Sequence, residues 1–335
     1  MGIHFQVLGQ MGMDNALLVK LENYRKLERL LFDCGDGTLT GLPYSDILGV
    51  DHLFFSHLHV DHVSGFDAYF RANFNRTSKE NHIWGPPETA KIMQHRFQGY
   101  MWNLAEQYST IWQVHEVFPE HIQTYRFDTA EGFRITHDLG QRKHSGVILD
   151  EEQYQVKAIT LDHQTPCLGF AVQEKAKTRI DVAKLPGLGL QPGKWMEHLK
   201  DFHFEEKTLE VDGQVHETAD LREKLLVGHP RGGVAYLTDF LLTKETREAL
   251  QVFLKGMDIL ICEGQYMQED LDRAQRNFHL TSQQAAQIAL ECGIKKLLLM
   301  HVSKRYDLAE WQKLLMEARR VFVNTDFPEH WPHMD

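Results

Sequence analysis

Short apolar runs, each broken by a polar or glycine-bearing turn, dominate the first half of the chain. Residues 3–9, 16–22 and 27–33 are rich in Val, Leu, Ile and Phe and predict strands, as does 51–56. From 86 to 106 the apolar spacing becomes helical after a Pro-Pro-Glu start, which predicts a helix. Further strands are expected near Val114, Phe133, Val156 and Phe170. A polar stretch, 174–215, carries several Pro-Gly steps and reads as an excursion from the core. The last third alternates: strand 234–239, helix 244–254, strand 257–263, helix 282–292, strand 295–301 and helix 308–319. Strands first and α/β alternation afterwards fit a sheet sandwich with helices outside.

Composition narrows the class. Of 335 residues, 42% are hydrophobic and 25% charged, enough to build an ordinary globular core. No apolar run approaches the ~20 residues of a membrane span, so no membrane partner is expected. The first ten residues lack the basic and apolar regions of a secretory signal. Cys34, Cys167, Cys262 and Cys292 are scattered, which argues against a disulfide framework and for a cytoplasmic protein. The net charge of −11 speaks against a protein coated in nucleic acid, although one local basic patch would suffice for a contact.

Twenty histidines are many, and their spacing decides which matter. The sharpest pattern is His57-Leu58-His59-Val60-Asp61-His62, directly after an apolar strand. Imidazoles two residues apart point the same way in extended chain, and a carboxylate adds a harder ligand. Four ligand-type side chains in six residues would repel one another as plain surface. Gly65 suits the turn that follows.

This string resembles the signature of the metallo-β-lactamase superfamily and, within it, the ribonuclease Z family, which trims the 3′ end of precursor tRNA. The likeness covers most of the chain. LFDCGDGT, LDHQTPCLGFAVQE, AYLTDF and LLLMHVSKRY are similar to further family segments and contribute Asp33, His163, Asp239 and His301. The resemblance implies an αββα sandwich of two mixed sheets flanked by helices. It implies one domain over 1–335 with 174–215 as an inserted arm. It also implies two divalent ions, zinc or else manganese or iron. His57, His59 and His163 would hold one ion, Asp61, His62 and His301 the other, with Asp239 bridging. A pair of ions roughly 3.5–4 Å apart lowers the pKa of a water and stabilises charge on attacking and leaving oxygens. Asp61 would orient that water or take its proton. Singly, His163 reads as readily as a satisfied histidine, Asp239 as a helix N-cap and His301 as a strand-end hydrogen bonder.

Phe278-His279-Leu280-Thr281 and Ile261-Cys262-Glu263-Gly264 resemble the segments that carry the family's His–Glu pair near the leaving group. A carboxylate that orients an imidazole and stabilises its cation makes a general acid. Taken alone, His279 is a neighbour of a helix cap and Glu263 a strand-end carboxylate. Arg305 and Lys194 are candidate contacts to substrate phosphate; otherwise Arg305 pairs with an acid, and the arm is a solvated protrusion or dimer contact. The resemblance implies an RNA substrate, or a smaller phosphodiester, and a homodimer. A lactonase on the same metals and a non-catalytic RNA-binding scaffold are the competing readings. Three places depart from the family: GQMGMDNALL lacks its Pro- and Arg-bearing loop, Pro192-Gly193-Lys194 replaces Pro-Gly-Pro, and Cys262-Glu263-Gly264-Gln265 replaces His-Glu-Ala-Thr. The aromatic stretch 94–117 is either a wall over the metals or a helix packing on the core.

Overall fold

The structure is a computed structural model that describes residues 2–22, 26–175, 178–201, 204, 206–228 and 232–332. Two sheets form its larger unit, residues 1–174 and 232–335. The first has eight strands in sequential order from Gly2–Gly9 to His137–Lys143. The second has seven, with Thr325–Asp326 at one edge and Val147–Asp150 at the other. Both are mixed. Leu27–Phe32, His52–Phe54, Asn81–Gly85 and Ile111–Val117 run parallel in the first sheet. Gly233–Leu237, Ile259–Glu263 and Lys296–Met300 do so in the second.

The alternation of side chains sorts the core into layers. In Asn15–Glu22, Leu17, Val19 and Leu21 join the core that also takes in the second sheet, and Ala16 and Leu18 join a separate one. Helices Phe66–Asn73 and Thr89–Phe97 pack into that separate core, through Phe66, Phe70, Met93 and Phe97. Helices Lys244–Phe253, Ser282–Glu291 and Leu308–Val321 supply Leu250, Ala285, Ala286 and Leu314 to the other. The arrangement is the αββα sandwich that the sequence implied. Near the chain end, the Trp331 indole, almost fully buried, donates to the Gly9 carbonyl (3.1 Å).

Local expectations fared unevenly. The helix expected over 86–106 spans only Thr89–Phe97 and ends before Gly99; a short 3-10 turn, Ala105–Gln107, follows. No strand forms at Phe133. It sits in a turn with φ 59°, next to Gly132 at 58°. The apolar side chain that suggested a strand is instead stacked on Phe97, 4.6 Å between rings.

The aromatic stretch divides the same way. Phe97 and Trp112 are buried, whereas Tyr100, Met101 and Leu104 are exposed. With Phe70, Phe74 and Trp102 they line a cavity of about 550 Å³. The loop 98–110 lines this cavity together with Asp67 and Arg71 of helix Phe66–Asn73, and none of the candidate metal ligands is among the lining residues.

Residues 175–231 form a second compact unit, reaching 16 residues beyond the expected boundary at 215. It has its own small core, including Leu185, Trp195, Leu199, Leu209 and Leu225. Thr178–Ile180 pairs with Leu226–Gly228, which explains the later boundary: the return strand lies past 215. Lys194 is exposed in this unit, just before helix Trp195–Lys200.

Candidate metal centre

Every candidate ligand stands where a strand ends. His57–His62 follows His52–Phe54, with Asp61 and His62 in the short helix Val60–Val63. His163 lies in the hairpin between Tyr154–Asp162 and Pro166–Glu174. Asp239 comes two residues after Gly233–Leu237, and His301 directly after Lys296–Met300. Asp239 and His301 take left-handed backbone conformations, φ 41° and 50°, as does Asp33 at 59°. Such conformations cost of order 1–3 kcal/mol for a side-chain-bearing residue and gather at functional sites.

The seven side chains meet in two groups whose ligating atoms lie within 4.8 Å of one another: His57, His59 and His163, and Asp61, His62, Asp239 and His301. Asp239 also faces the first group. Its Oδ2 is 3.7 Å from both His57 Nε2 and His163 Nε2 and 3.4 Å from His62 Nε2. Its Oδ1 is 3.5 Å from His301 Nδ1. Asp61 Oδ2 is 3.6 Å from His62 Nε2 and 3.4 Å from His301 Nε2.

Whether these residues suit a cation can be read from the other ring nitrogens. His62 Nδ1 donates to Asp33 Oδ2 (2.9 Å), a carboxylate that can only accept. His163 Nδ1 donates to the Phe278 carbonyl (2.8 Å). Ser56 Oγ gives its hydrogen to Asp33 (2.8 Å), so it accepts from His57 Nδ1 (3.1 Å). Three Nε2 lone pairs are thereby aimed inward, and that of His62 is buried without a hydrogen-bond partner. A bare lone pair among carboxylates is costly unless a cation fills the gap. The donor set fits a divalent metal.

Electrostatics agree. Burial and the neighbouring His62 hold His57 well below the usual histidine range, and burial with His163 lowers His59, so both offer neutral imidazoles. Burial opposes charge on His62, but Asp239 and Asp33 outweigh it and raise the ring well above that range. His301 rises likewise through Asp239 and Asp61. Burial pushes Asp239 upward, yet the charges of His301 and His62 hold it well below the usual carboxylate range. Without an ion, the carboxylates recruit protons onto histidines; a metal would take the place of those protons.

His279 and Glu263 are paired at 2.9 Å, with His279 Nδ1 4.0 Å from Asp239. Glu263 is fully buried and its other oxygen accepts from Phe240 N (3.0 Å). Burial alone would lower His279, but Glu263 carries it up to about 9. The alternatives left open by sequence fall away at two positions. The N-cap of the following helix is Thr243, not Asp239, and Glu263 is no surface carboxylate. Thr281 does cap Ser282–Glu291, while its neighbour His279 turns to Glu263. Arg305 is exposed and pairs with no acid among the described residues; its guanidinium stands 5.9 Å from the Tyr266 ring. The position of Lys194 lies in the second unit.

Several contributors escaped the sequence reading. Ser56 and Tyr236 both donate to Asp33, the latter at 2.8 Å. Asn15 accepts from His301 N (2.9 Å), and Gln265 meets His301 Nδ1 (3.2 Å). Ser56 adjoins the His57–His62 string, and Tyr236 lies within AYLTDF. Asn15 carries no such signal.

Over 325 residues the chain is 42% identical to ribonuclease Z of Deinococcus radiodurans, covering 97% of both chains. The chain belongs to the ribonuclease Z family. It is accordingly a metal-dependent hydrolase. A profile of the family described as Anti-Pycsar protein Apyc1 matches residues 9–175, just under half of the chain. Among solved structures, the metallo-β-lactamase fold protein YhfI of Bacillus subtilis superposes with a TM-score of 0.55 at 16% identity, covering 96% of this chain and 93% of that one. Human tRNase Z, short form, does so at 0.50 and 19%, covering 90% and 93%. At those identities the structures establish the metallo-β-lactamase fold; the family rests on the sequence match. No helix among the described residues is long and apolar enough to cross a membrane.

Proposed function

We propose that this chain is an endoribonuclease that removes 3′ extensions from precursor tRNA. His57, His59 and His163 hold one divalent ion, Asp61, His62 and His301 a second, and Asp239 faces both. Zinc is the metal that a set dominated by imidazole favours. When bound, the ions supply Lewis acidity at the scissile phosphate and lower the pKa of a water there. Asp61, the most exposed carboxylate of the set, orients that water and accepts its proton. Its own carboxyl is held below the usual range: burial raises it, but the hydrogen bond with His301 and the charge of His62 prevail. His279, kept protonated by Glu263, gives its proton to the leaving oxygen. Arg305 and Lys194 contact substrate phosphates. The same reading takes the protein as a cytoplasmic homodimer.

The observation that carries it is the buried Glu263–His279 pair beside Asp239, an acid at the edge of the metal site. The relatives named ribonuclease Z supply the substrate. The test is cleavage of a precursor tRNA bearing a 3′ trailer by zinc-loaded protein, with the product end mapped. A cut just after the discriminator base is expected, abolished in Asp61→Ala. Glu263→Gln should lower kcat by 10²–10⁴-fold at unchanged zinc content. Intact cleavage by Asp61→Ala, or hydrolysis of lactones in preference to phosphodiesters, would overturn the proposal.

A further inference from the structure

Beside the metal centre lies a cavity of about 310 Å³, lined by His59, His163, Gln164, Thr165, Arg276 and Asn277. Two of these belong to the first ligand group; none belongs to the second. A phosphate attacked between the two groups therefore lies outside the cavity, which is left for the next unit of a bound chain. Its volume is at the small end of the ~300–1,000 Å³ typical of ligand sites.

The walls are fixed to the metal centre. His163 Nδ1 donates to the carbonyl of Phe278, two residues from Arg276. Phe278 and Gln164 both take left-handed conformations, φ 57° and 58°, and bend the two wall segments. Arg276 caps its side chain locally, Nε donating to the Asp272 carbonyl at 3.2 Å. Among the described residues no carboxylate pairs with it, unlike Arg273 one turn earlier, which meets Asp270 at 3.8 Å. Both terminal amino groups of the guanidinium remain available. That planar fork matches a phosphate and recognises it bidentately. Beside it, Asn277 donates to the Tyr266 hydroxyl (2.8 Å), and Arg305 stands over the same Tyr266 ring. Arg276 and Asn277 thus share the cavity lining, and Asn277 bonds the tyrosine over which Arg305 stands, next to His279.

We infer that this cavity is a subsite for the nucleotide adjoining the scissile phosphate in single-stranded RNA, and that Arg276 binds its flanking phosphate. The inference rests on the ribonuclease reading above and adds a position that sets the preference for chains over small diesters. Arg276 acts by binding and does not touch the reacting atoms.

The test uses zinc-loaded full-length protein and a trailer-bearing oligoribonucleotide in three forms: unmodified, and with a neutral methylphosphonate on either side of the scissile linkage. Bis(p-nitrophenyl) phosphate, which has no flanking phosphate, is the comparison substrate. Arg276→Gln should raise KM for the unmodified oligonucleotide about tenfold, the scale of one charge-assisted contact, with a much smaller change in kcat. It should reduce the slope of log affinity against log salt by about 0.7. One of the two methylphosphonates should cost the wild type a similar factor and cost Arg276→Gln almost nothing further; Arg276→Lys should recover part of the loss. Zinc content and melting temperature matching wild type exclude a folding defect. Equal losses on the oligonucleotide and on the small diester, or additive effects of Arg276→Gln with both methylphosphonates, would overturn the subsite. Wild-type protein that hydrolyses the small diester and no oligonucleotide would sink the ribonuclease reading and the subsite with it; cleavage indifferent to Arg276→Gln sinks the subsite alone.

Discussion

Asp33 shows how one residue behind a site governs those in front. It is fully buried and accepts from Ser56 N (2.7 Å), Ser56 Oγ, His62 Nδ1 and the Tyr236 hydroxyl. His62 is oriented directly and His57 through Ser56. Each imidazole must present the right tautomer, and partners of metal ligands commonly affect affinity by 10–100-fold. Tyr236→Phe removes one donor without changing shape much. It should weaken zinc binding about tenfold in competition with a chelator, the protein otherwise folded. Unchanged zinc affinity would mean that Ser56 and His62 suffice to hold the carboxylate. The sequence disclosed Asp33 and His62 because they sit in compact strings. It did not disclose Asn15, which contacts His301 from 286 residues away and looks like any loop asparagine.

Elements were legible in proportion to their regularity. Strands with a long apolar run, such as Asn15–Glu22 and Lys296–Met300, could be read directly. His137–Lys143 could not: six of its seven residues are exposed, so nothing apolar marks it. The short helix Leu271–Arg276 likewise hid in a polar segment. Gly65 was anticipated as a turn residue, and it stands at the turn into helix Phe66–Asn73. Its backbone is ordinary right-handed, φ −78°. Only a hydrogen fits there, because a Cβ would come 2.2 Å from the Gly35 carbonyl oxygen. That contact clamps the turn after Asp61 and His62 onto the segment that follows Asp33, with Gly65 N also donating to Cys34 O (2.8 Å). Gly65→Ala should therefore lower stability by about 1–3 kcal/mol in urea unfolding and reduce zinc content. Full stability with full zinc would show that the two segments can part freely.

Over the whole molecule, a second set of histidines is built to remain neutral. His52, His82 and His115 lie on adjacent strands. His82 Nδ1 meets His115 Nε2 at 3.1 Å, and Trp84 Nε1 donates to His52 Nδ1 (3.1 Å). Burial lowers all three; His115 falls to about 3. Glu80 is the one carboxylate in ion-pair range of this trio among the described residues, 3.6 Å from His82. An unfolded histidine protonates near pH ~6.5, so the unfolded chain takes up protons first. The contribution is complete above that pH and is lost as pH falls from about 6.5 toward 3. Urea midpoints should decline over that window. His115→Gln should flatten the decline by up to ~1.4 kcal/mol per pH unit at the steepest point. An identical slope in the variant would assign acid lability elsewhere; only a loss confined below about pH 4 would point to Asp46. Burial raises that carboxyl, but Lys20 and Arg29 draw it below its usual range.

The ligand positions have a consequence for biosynthesis. The first cluster residue is His57 and the last is His301, from opposite sheets. Chains are made from the N-terminus and domains assemble as units. A growing chain that has reached residue 300 carries the whole His57–His62 string yet lacks a member of the second group. Hydrolytic capacity thus appears late, when nearly all of the described sandwich is available to enclose it. For a protein that cuts RNA and is synthesised on a particle made largely of RNA, the spread of its ligands along the chain delays activity until both sheets have been made.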